Sequence, residues 1–172
     1  QAPYHNMYGR EDIQAPIRAD HERHNDHPVY EGFRLHPEGQ AFSRDADRHN
    51  VIPAYMGLVK QVDDYLGRLF DFMQARGLMD NTMIVFTADH SDYLGDHWLG
   101  EKEFMYEQGV RIPMIVSDPS APQTHGTVSQ ALVEAVDLVP TFLDTLGQPM
   151  PHHWLEGQSL RPLLQGQAGS VQ

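Results

Sequence analysis

The chain has 172 residues, 40% of them hydrophobic, which suits one globular domain with a core of its own and leaves little room for two. Its 24 acidic residues against 12 Lys and Arg give a formal charge of -12, which opposes binding to a nucleic-acid backbone. There is no Cys, no apolar run of roughly 18 residues and no basic-then-apolar leader at Gln1-Ala2-Pro3-Tyr4, so disulfides and thiolate metal sites are excluded and no membrane partner is expected.

Residues 1–46 hold Pro3, Pro16, Pro28, Gly32 and Pro37 and few periodic apolar positions, and are expected to form an irregular, His-rich arm. Within it His21, His24 and His27 stand three apart, a spacing that shares a face only on a helix. Pro28 argues against a stable helix there, which leaves solvated loop histidines as the bland alternative to a metal clip.

Residues 47–166 carry the patterned part of the chain. Ile52, Tyr55, Val59, Val62, Leu66, Leu69 and Met73 advance by steps of three and four, the pattern of an amphipathic helix with its stripe turned to the core. Asn50 is the expected N-cap, Pro53 falls in the first turn, and Gly77 marks a left-handed C-cap. Residues 82–87 then read as a short buried strand and residues 112–116 as a second. Asp137 can cap a short helix that carries Pro140 early and ends at Gly147, whereas Ala131 to Ala135 fits strand or helix. A frayed tail is expected over 167–172. A long helix followed by buried strands is the mark of an α/β layered sheet.

The chemistry-bearing residues cluster where the first strand ends, which is where ligands bind in open α/β sheets. Asp89 and His90 offer one carboxylate oxygen and one imidazole nitrogen, a pair suited to a divalent transition ion. Taken alone, the dipeptide reads equally as a loop cap or a salt-bridge partner.

Around the pair run Thr87-Ala88-Asp89-His90-Ser91-Asp92-Tyr93-Leu94-Gly95-Asp96-His97, Glu101-Lys102 and Tyr106-Glu107-Gln108-Gly109-Val110-Arg111-Ile112-Pro113. Together they resemble the sulfatase and phosphonate monoester hydrolase family of the alkaline phosphatase superfamily, and Gly157-Gln158-Ser159-Leu160-Arg161-Pro162-Leu163-Leu164 and Ala2-Pro3-Tyr4-His5 extend the likeness. The resemblance implies part of an alkaline-phosphatase-like α/β/α sandwich with a mostly parallel sheet, lacking its N-terminal side. It implies Asp89 and His90 as ligands of a divalent metal, Mn most of all with Ca or Zn as alternatives, and Lys102 as the cation at the leaving oxygen. It gives Asp96 and His97 supporting or loop-fixing duties, and Arg111 an ion pair that anchors the strand entry.

The implied activity is hydrolysis of small sulfate, phosphonate or phosphate esters, with phosphonate monoesters and phosphodiesters favoured over aryl sulfates. The family's nucleophile is a formylglycine made from a Cys/Ser-x-Pro-x-Arg motif, and that motif does not occur here. The chain is therefore expected to begin after the nucleophile, to carry half of the metal site, and to be inactive and weak in metal affinity by itself. Ser91 stands where the family has Gly, which matters if the loop needs a positive φ.

Two readings from other classes stay open: a non-catalytic metal- or anion-binding module completed by the His-rich arm, and a structural domain that packs on a partner through a bare strand edge. A homo-oligomer is compatible with either, and the compartment is open, with the cytoplasm slightly favoured.

Overall fold

A computed structural model of the chain describes residues 1–24, 27–151, 153–167 and 169. The chain divides into two compact units, one of Gln1–Arg76 with His90–Pro113 and the other of Gly77–Asp89 with Met114–Gln172.

The first unit is built on helices α1 (Pro28–Leu35), α2 (Asp45–Ala75) and α3 (Glu107–Val110). The sequence marks 1–46 as irregular, yet α1 forms there after 3-10 turns at Tyr4–Asn6, Arg10–Asp12 and Asp20–Arg23. Pro28 breaks nothing because it occupies the first turn, where its missing N–H costs no hydrogen bond. Glu31 pairs with Arg34 one turn on, and the Tyr30 ring stacks on Phe104 at 3.6 Å between centroids.

α2 begins five residues before the expected cap at Asn50 and carries Pro53 inside it. The extra turn is held from outside: Arg18 pairs with Asp45, Arg44 with Asp47, and the buried Arg48 guanidinium donates to the carbonyls of Leu94 and Gln14. Asp45 and Asp47 also suit the positive end of the helix dipole. At the far end Gly77 takes φ +65°, the left-handed conformation that the sequence assigns to it.

Among the described residues of the helical unit the stripe of α2 is mostly uncovered, where its periodicity leads to the expectation of a core face. Ile52 is buried, but Tyr55, Val59, Val62 and Leu69 are exposed. The side that packs is the small-residue side: Pro53 and Gly57 are buried, the Tyr4–Asn6 turn lies against it, and a Cβ at Gly57 would collide with the Tyr4 carbonyl. Tyr4 Oη then donates to Asp64 at 3.0 Å.

The second unit holds strands β1 (Ile84–Thr87) and β2 (Met114–Ser117) with helices α4 (Leu138–Thr145) and α5 (Arg161–Leu164). The two strands pair antiparallel, Ile84 opposite Ser117 and Thr87 opposite Met114. The chain leaves β1 and rejoins β2 at the same end of the ribbon, without a crossover helix along the strands, which makes this pair an antiparallel part of the sheet. The mixed α/β class stands.

The tight packing of this unit lies around Asp137. Its buried carboxylate accepts from the Glu134 and Gln158 N–H groups, both at 2.9 Å, rather than capping α4 through a side-chain bond. Thr141 Oγ1 donates to the Asp137 carbonyl at 2.6 Å and accepts from Leu160 N–H at 2.8 Å. Gly147 follows α4 at φ +63°, and residues 131–134 are neither helix nor strand. Of the expected frayed tail, only residues 167 and 169 fall among the described ones.

Candidate functional site

β1 delivers the chain to Asp89, the last residue of the first segment of the strand-bearing unit, while His90, Asp96, His97 and Lys102 belong to the helical unit. Asp89 and His90 are both exposed. The His90 Nδ1 lies 3.0 Å from the Ser91 carbonyl, an acceptor only, so Nδ1 carries the proton and the lone pair of the neutral ring sits on Nε2. The imidazole of His90 and the carboxylate of Asp89 are each of a chemical kind suited to a divalent ion, and each would fill one position of a coordination sphere. Among the described residues no group of three or more His, Cys, Asp or Glu side chains is placed to hold a metal ion.

Ser91 is not among the residues with positive φ, so the loop takes a serine there without backbone strain. Its N–H donates to the Gly109 carbonyl at 3.1 Å. The left-handed conformations come a few residues later, at Leu94, Gly95, His97, Trp98 and Glu101. Four of these five are not glycine, a concentration of costly backbone that persists only where surroundings hold it.

The holding contacts are explicit. Tyr93, 1% exposed, donates through Oη to the Phe104 carbonyl at 2.5 Å, and a Cβ at Gly109 would press on that ring. Asp96 accepts from Ile17 N–H at 2.8 Å, and His97 N–H donates to the Ile17 carbonyl at 2.9 Å. The His97 ring stacks on Tyr106 with centroids 4.0 Å apart, its Nδ1 2.7 Å from Glu22 and its Nε2 3.1 Å from Gln108. Trp98 is gripped between Arg18 at 3.9 Å and Arg23 at 3.5 Å from its centroid, and donates to the Ala19 carbonyl at 2.8 Å. Asp96 and His97 thus join residues 17–22 of the arm to the loop.

Lys102 is exposed, with Nζ 3.2 Å from Glu101 Oε2. Arg111 pairs with Glu107 at 2.7 Å in an exposed i,i+4 contact. A cavity of about 720 Å³ opens beside this loop within the helical unit, lined by Arg48, Ser91, Asp92, Leu94, Asp96 and Arg111 among others. Burial pushes the Asp92 carboxyl above its ordinary range, against the pull of the Leu94 N–H that it accepts at 2.7 Å. Burial also drives the Tyr106 hydroxyl up to about 12, with the hydrogen bond to Tyr30 adding to the effect.

His21 lies in the 3-10 turn Asp20–Arg23, His24 caps its end, and His27 precedes α1, so the three share no helical face. Reading that arm for its histidines misses Glu22 between them, which is the residue that reaches the loop. Arg48 and the cage around Trp98 are likewise silent in the sequence, since their spacings of tens of residues form no local pattern.

A sequence model of the sulfatase family matches residues 14–148. The chain belongs to the sulfatase family. This sulfatase-family chain is 35% identical over 175 residues to the multifunctional alkaline phosphatase superfamily protein PehA of Trinickia caryophylli, a match covering 95% of this chain and 34% of that protein. It is 40% identical over 113 residues to the N-acetylglucosamine-6-O-sulfatase of Bacteroides thetaiotaomicron, covering 66% of this chain and 20% of that one. Among solved structures, the phosphonate monoester hydrolase from Silicibacter pomeroyi superposes with a TM-score of 0.84 at 32% identity, over 97% of this chain and 34% of that chain. The fold is accordingly part of an alkaline-phosphatase-like α/β domain, and the chain spans about a third of the length of PehA and of the phosphonate monoester hydrolase.

Proposed function

We propose that this chain supplies the metal-binding and leaving-group side of a hydrolase active site, acting on phosphonate monoesters and phosphodiesters in preference to aryl sulfates. The observation that carries the reading is the His90 ring, oriented by the Ser91 carbonyl through Nδ1, next to a carboxylate just past the end of β1. Asp89 and His90 would hold a divalent ion, Mn²⁺ first and Ca²⁺ or Zn²⁺ as alternatives. Bound there, such an ion polarises the ester oxygens as a Lewis acid.

Lys102 acts at the departing oxygen. Its exposed ammonium, carried on the loop that Tyr93 and Trp98 brace, offsets the charge that grows on that atom as the ester bond breaks. Asp96 and His97 keep the loop in its left-handed course. The nucleophile, a formylglycine in the family that the motifs resemble, lies outside these 172 residues, since no Cys or Ser-x-Pro-x-Arg occurs in them. The preference for phosphorus esters rests on similarity to a protein named as a phosphonate monoester hydrolase over 97% of this chain.

The test is turnover of an aryl phosphonate monoester, an aryl phosphodiester and an aryl sulfate, each with Mn²⁺. The chain alone is expected to turn over none of them and to bind Mn²⁺ weakly. Activity of the isolated chain that Lys102→Ala abolishes, or submicromolar Mn²⁺ binding lost in Asp89→Ala, refutes the half-site assignment.

A further inference from the structure

The loop that leads into Lys102 is held by the N-terminal arm from two sides, wholly within the helical unit. Residues 17–23 take one side. Ile17 bonds the Asp96 carboxylate and the His97 N–H, Ala19 accepts from Trp98, Arg18 and Arg23 cover the two faces of the Trp98 ring, and Glu22 meets His97 Nδ1. Residues 39–42 take the other. The Gly39 carbonyl accepts from Gly100 N–H at 3.1 Å, a Cβ at Gly100 would meet the Ala41 carbonyl at 2.6 Å, and one at Gly95 would meet the Phe42 carbonyl at 2.7 Å.

Between these holds the loop has little slack. Gly95 N–H donates to the Leu99 carbonyl, Leu99 N–H to the Asp96 carbonyl and Tyr93 N–H to the Glu101 carbonyl, each at 2.9 Å, so residues 93–101 close on themselves up to the position before Lys102. Leu99 is buried within it. A shift at His97 is therefore passed on to the Lys102 backbone instead of being absorbed along the way. His97 itself holds φ 53° and ψ 21°, a conformation that a residue with a side chain keeps only where contacts fix it. Its ring is fixed by Gln108 at 3.1 Å, by the Tyr106 stack at 4.0 Å and by Glu22 at 2.7 Å. Gln108 and Tyr106 follow the loop in sequence, so Glu22 is the side chain that ties the ring to the arm. Both members of the pair are largely buried, Glu22 22% and His97 14% exposed.

We infer that Glu22 is a positioning residue for the leaving-group cation: acting through His97, it sets where the loop presents Lys102. The inference rests on the role proposed above for Lys102. The arm then serves the site through a carboxylate that lies between its histidines.

The chain contains two lysines, Lys60 and Lys102, so reductive ¹³C-methylation places one reporter beside the loop and one on α2, where Lys60 pairs with Asp63 and Asp64. Lys102→Arg assigns the loop signal. At a temperature where every variant is folded by circular dichroism, Glu22→Ala is expected to move the Lys102 signal at least halfway to its position in urea and to leave the Lys60 signal in place. Amide exchange at His97 and Gly100 is expected to quicken about tenfold or more, with exchange at Leu160 unchanged. Glu22→Gln keeps an acceptor for His97 Nδ1 and is expected to restore most of the Lys102 signal, which a general loosening of the fold would not do. The inference is overturned if Lys102 in the unaltered chain already stands at its urea position, if its signal ignores Glu22→Ala, or if both lysine signals move together. Leaving-group dependence of turnover in an assembled enzyme separates the two claims. A slope unchanged by Lys102→Ala overturns the reading of Lys102 itself, whereas a steepened slope beside a Lys102 signal that ignores Glu22→Ala overturns the positioning role alone.

Discussion

Nδ1 of His97 donates to Oε1 of Glu22 across 2.7 Å, joining the site loop to a residue 75 positions earlier in the chain. Burial acts to raise the Glu22 pKa, but the bonds from His97 and from Ala19 N–H lower it by more. A carboxylate with a lower pKa folded than unfolded adds stability that is complete above its unfolded value, 4.5, and is lost as pH falls through the folded one. Glu22→Gln is therefore expected to cost about 1–2 kcal/mol at pH 7, with the difference from wild type closing as pH falls below that range. Urea midpoints of the two proteins at pH 7 and pH 3 measure it.

Gly57 and Gly67 lie on the same helix and make opposite predictions. A methyl group at Gly57 meets the Tyr4 carbonyl, so Gly57→Ala is expected to lose about 1–3 kcal/mol and to speed amide exchange in the Tyr4–Asn6 turn. Nothing lies within 4 Å of a Cβ at Gly67, and Gly67→Ala is expected to gain about 0.5–1 kcal/mol by helix propensity. Thermal unfolding of both variants decides the pair.

Thr141 serves two backbone groups through one hydroxyl. Thr141→Val keeps the shape but leaves Leu160 N–H, on a residue 2% exposed, without its acceptor, at a cost of about 1–3 kcal/mol. Thr141→Ser keeps both bonds and is expected to recover most of that loss. The comparison by denaturant titration separates the hydrogen bonds from the lost methyl group.

In an assembled enzyme, the role proposed for Lys102 has a signature that a surface lysine lacks. Lys102→Ala is expected to lower kcat about a hundredfold for esters with poor leaving groups, and far less for nitrophenyl esters, whose oxygen needs little help. A plot of log kcat against leaving-group pKa is expected to steepen in the variant. An unchanged slope removes Lys102 from the leaving oxygen. Chelation of the metal is expected to abolish turnover of all substrates alike, since the ion acts on the ester and not on one leaving group.

The elements legible in the sequence are those with local signals. The steps of three and four over Ile52 to Met73, and Gly77 at the end, give α2; the β-branched and aromatic run at 82–87 gives β1, which starts two residues later, at Ile84. Local signals fail where distant residues decide. Arg18 and Arg48 let α2 start before Asn50 and pass through Pro53. The periodicity of α2 announces an apolar partner, but nothing in a single helix says on which side the rest of the chain will pack, and Gly57 with Tyr4 settles it the other way. At the site, Asp89, His90 and Lys102 stand out through motif spacing. The conformations of Leu94, His97, Trp98 and Glu101 do not, because only Gly95 among the five carries a sequence signal for positive φ.

The pairing of Thr87 with Met114 has a consequence for how such a chain can change. Residues 88–113 depart from and return to one end of the ribbon, so that stretch is a closed excursion whose two stems are already held side by side. The entropy of closing a loop grows only with the logarithm of its length, and five additional residues would cost about 0.2 kcal/mol. A few residues added at an exposed point of the excursion would thus leave the register of both strands as it is. The ribbon is a fixed frame in this arrangement, and the stretch with Asp89, His90 and Lys102 is tethered to it at both ends.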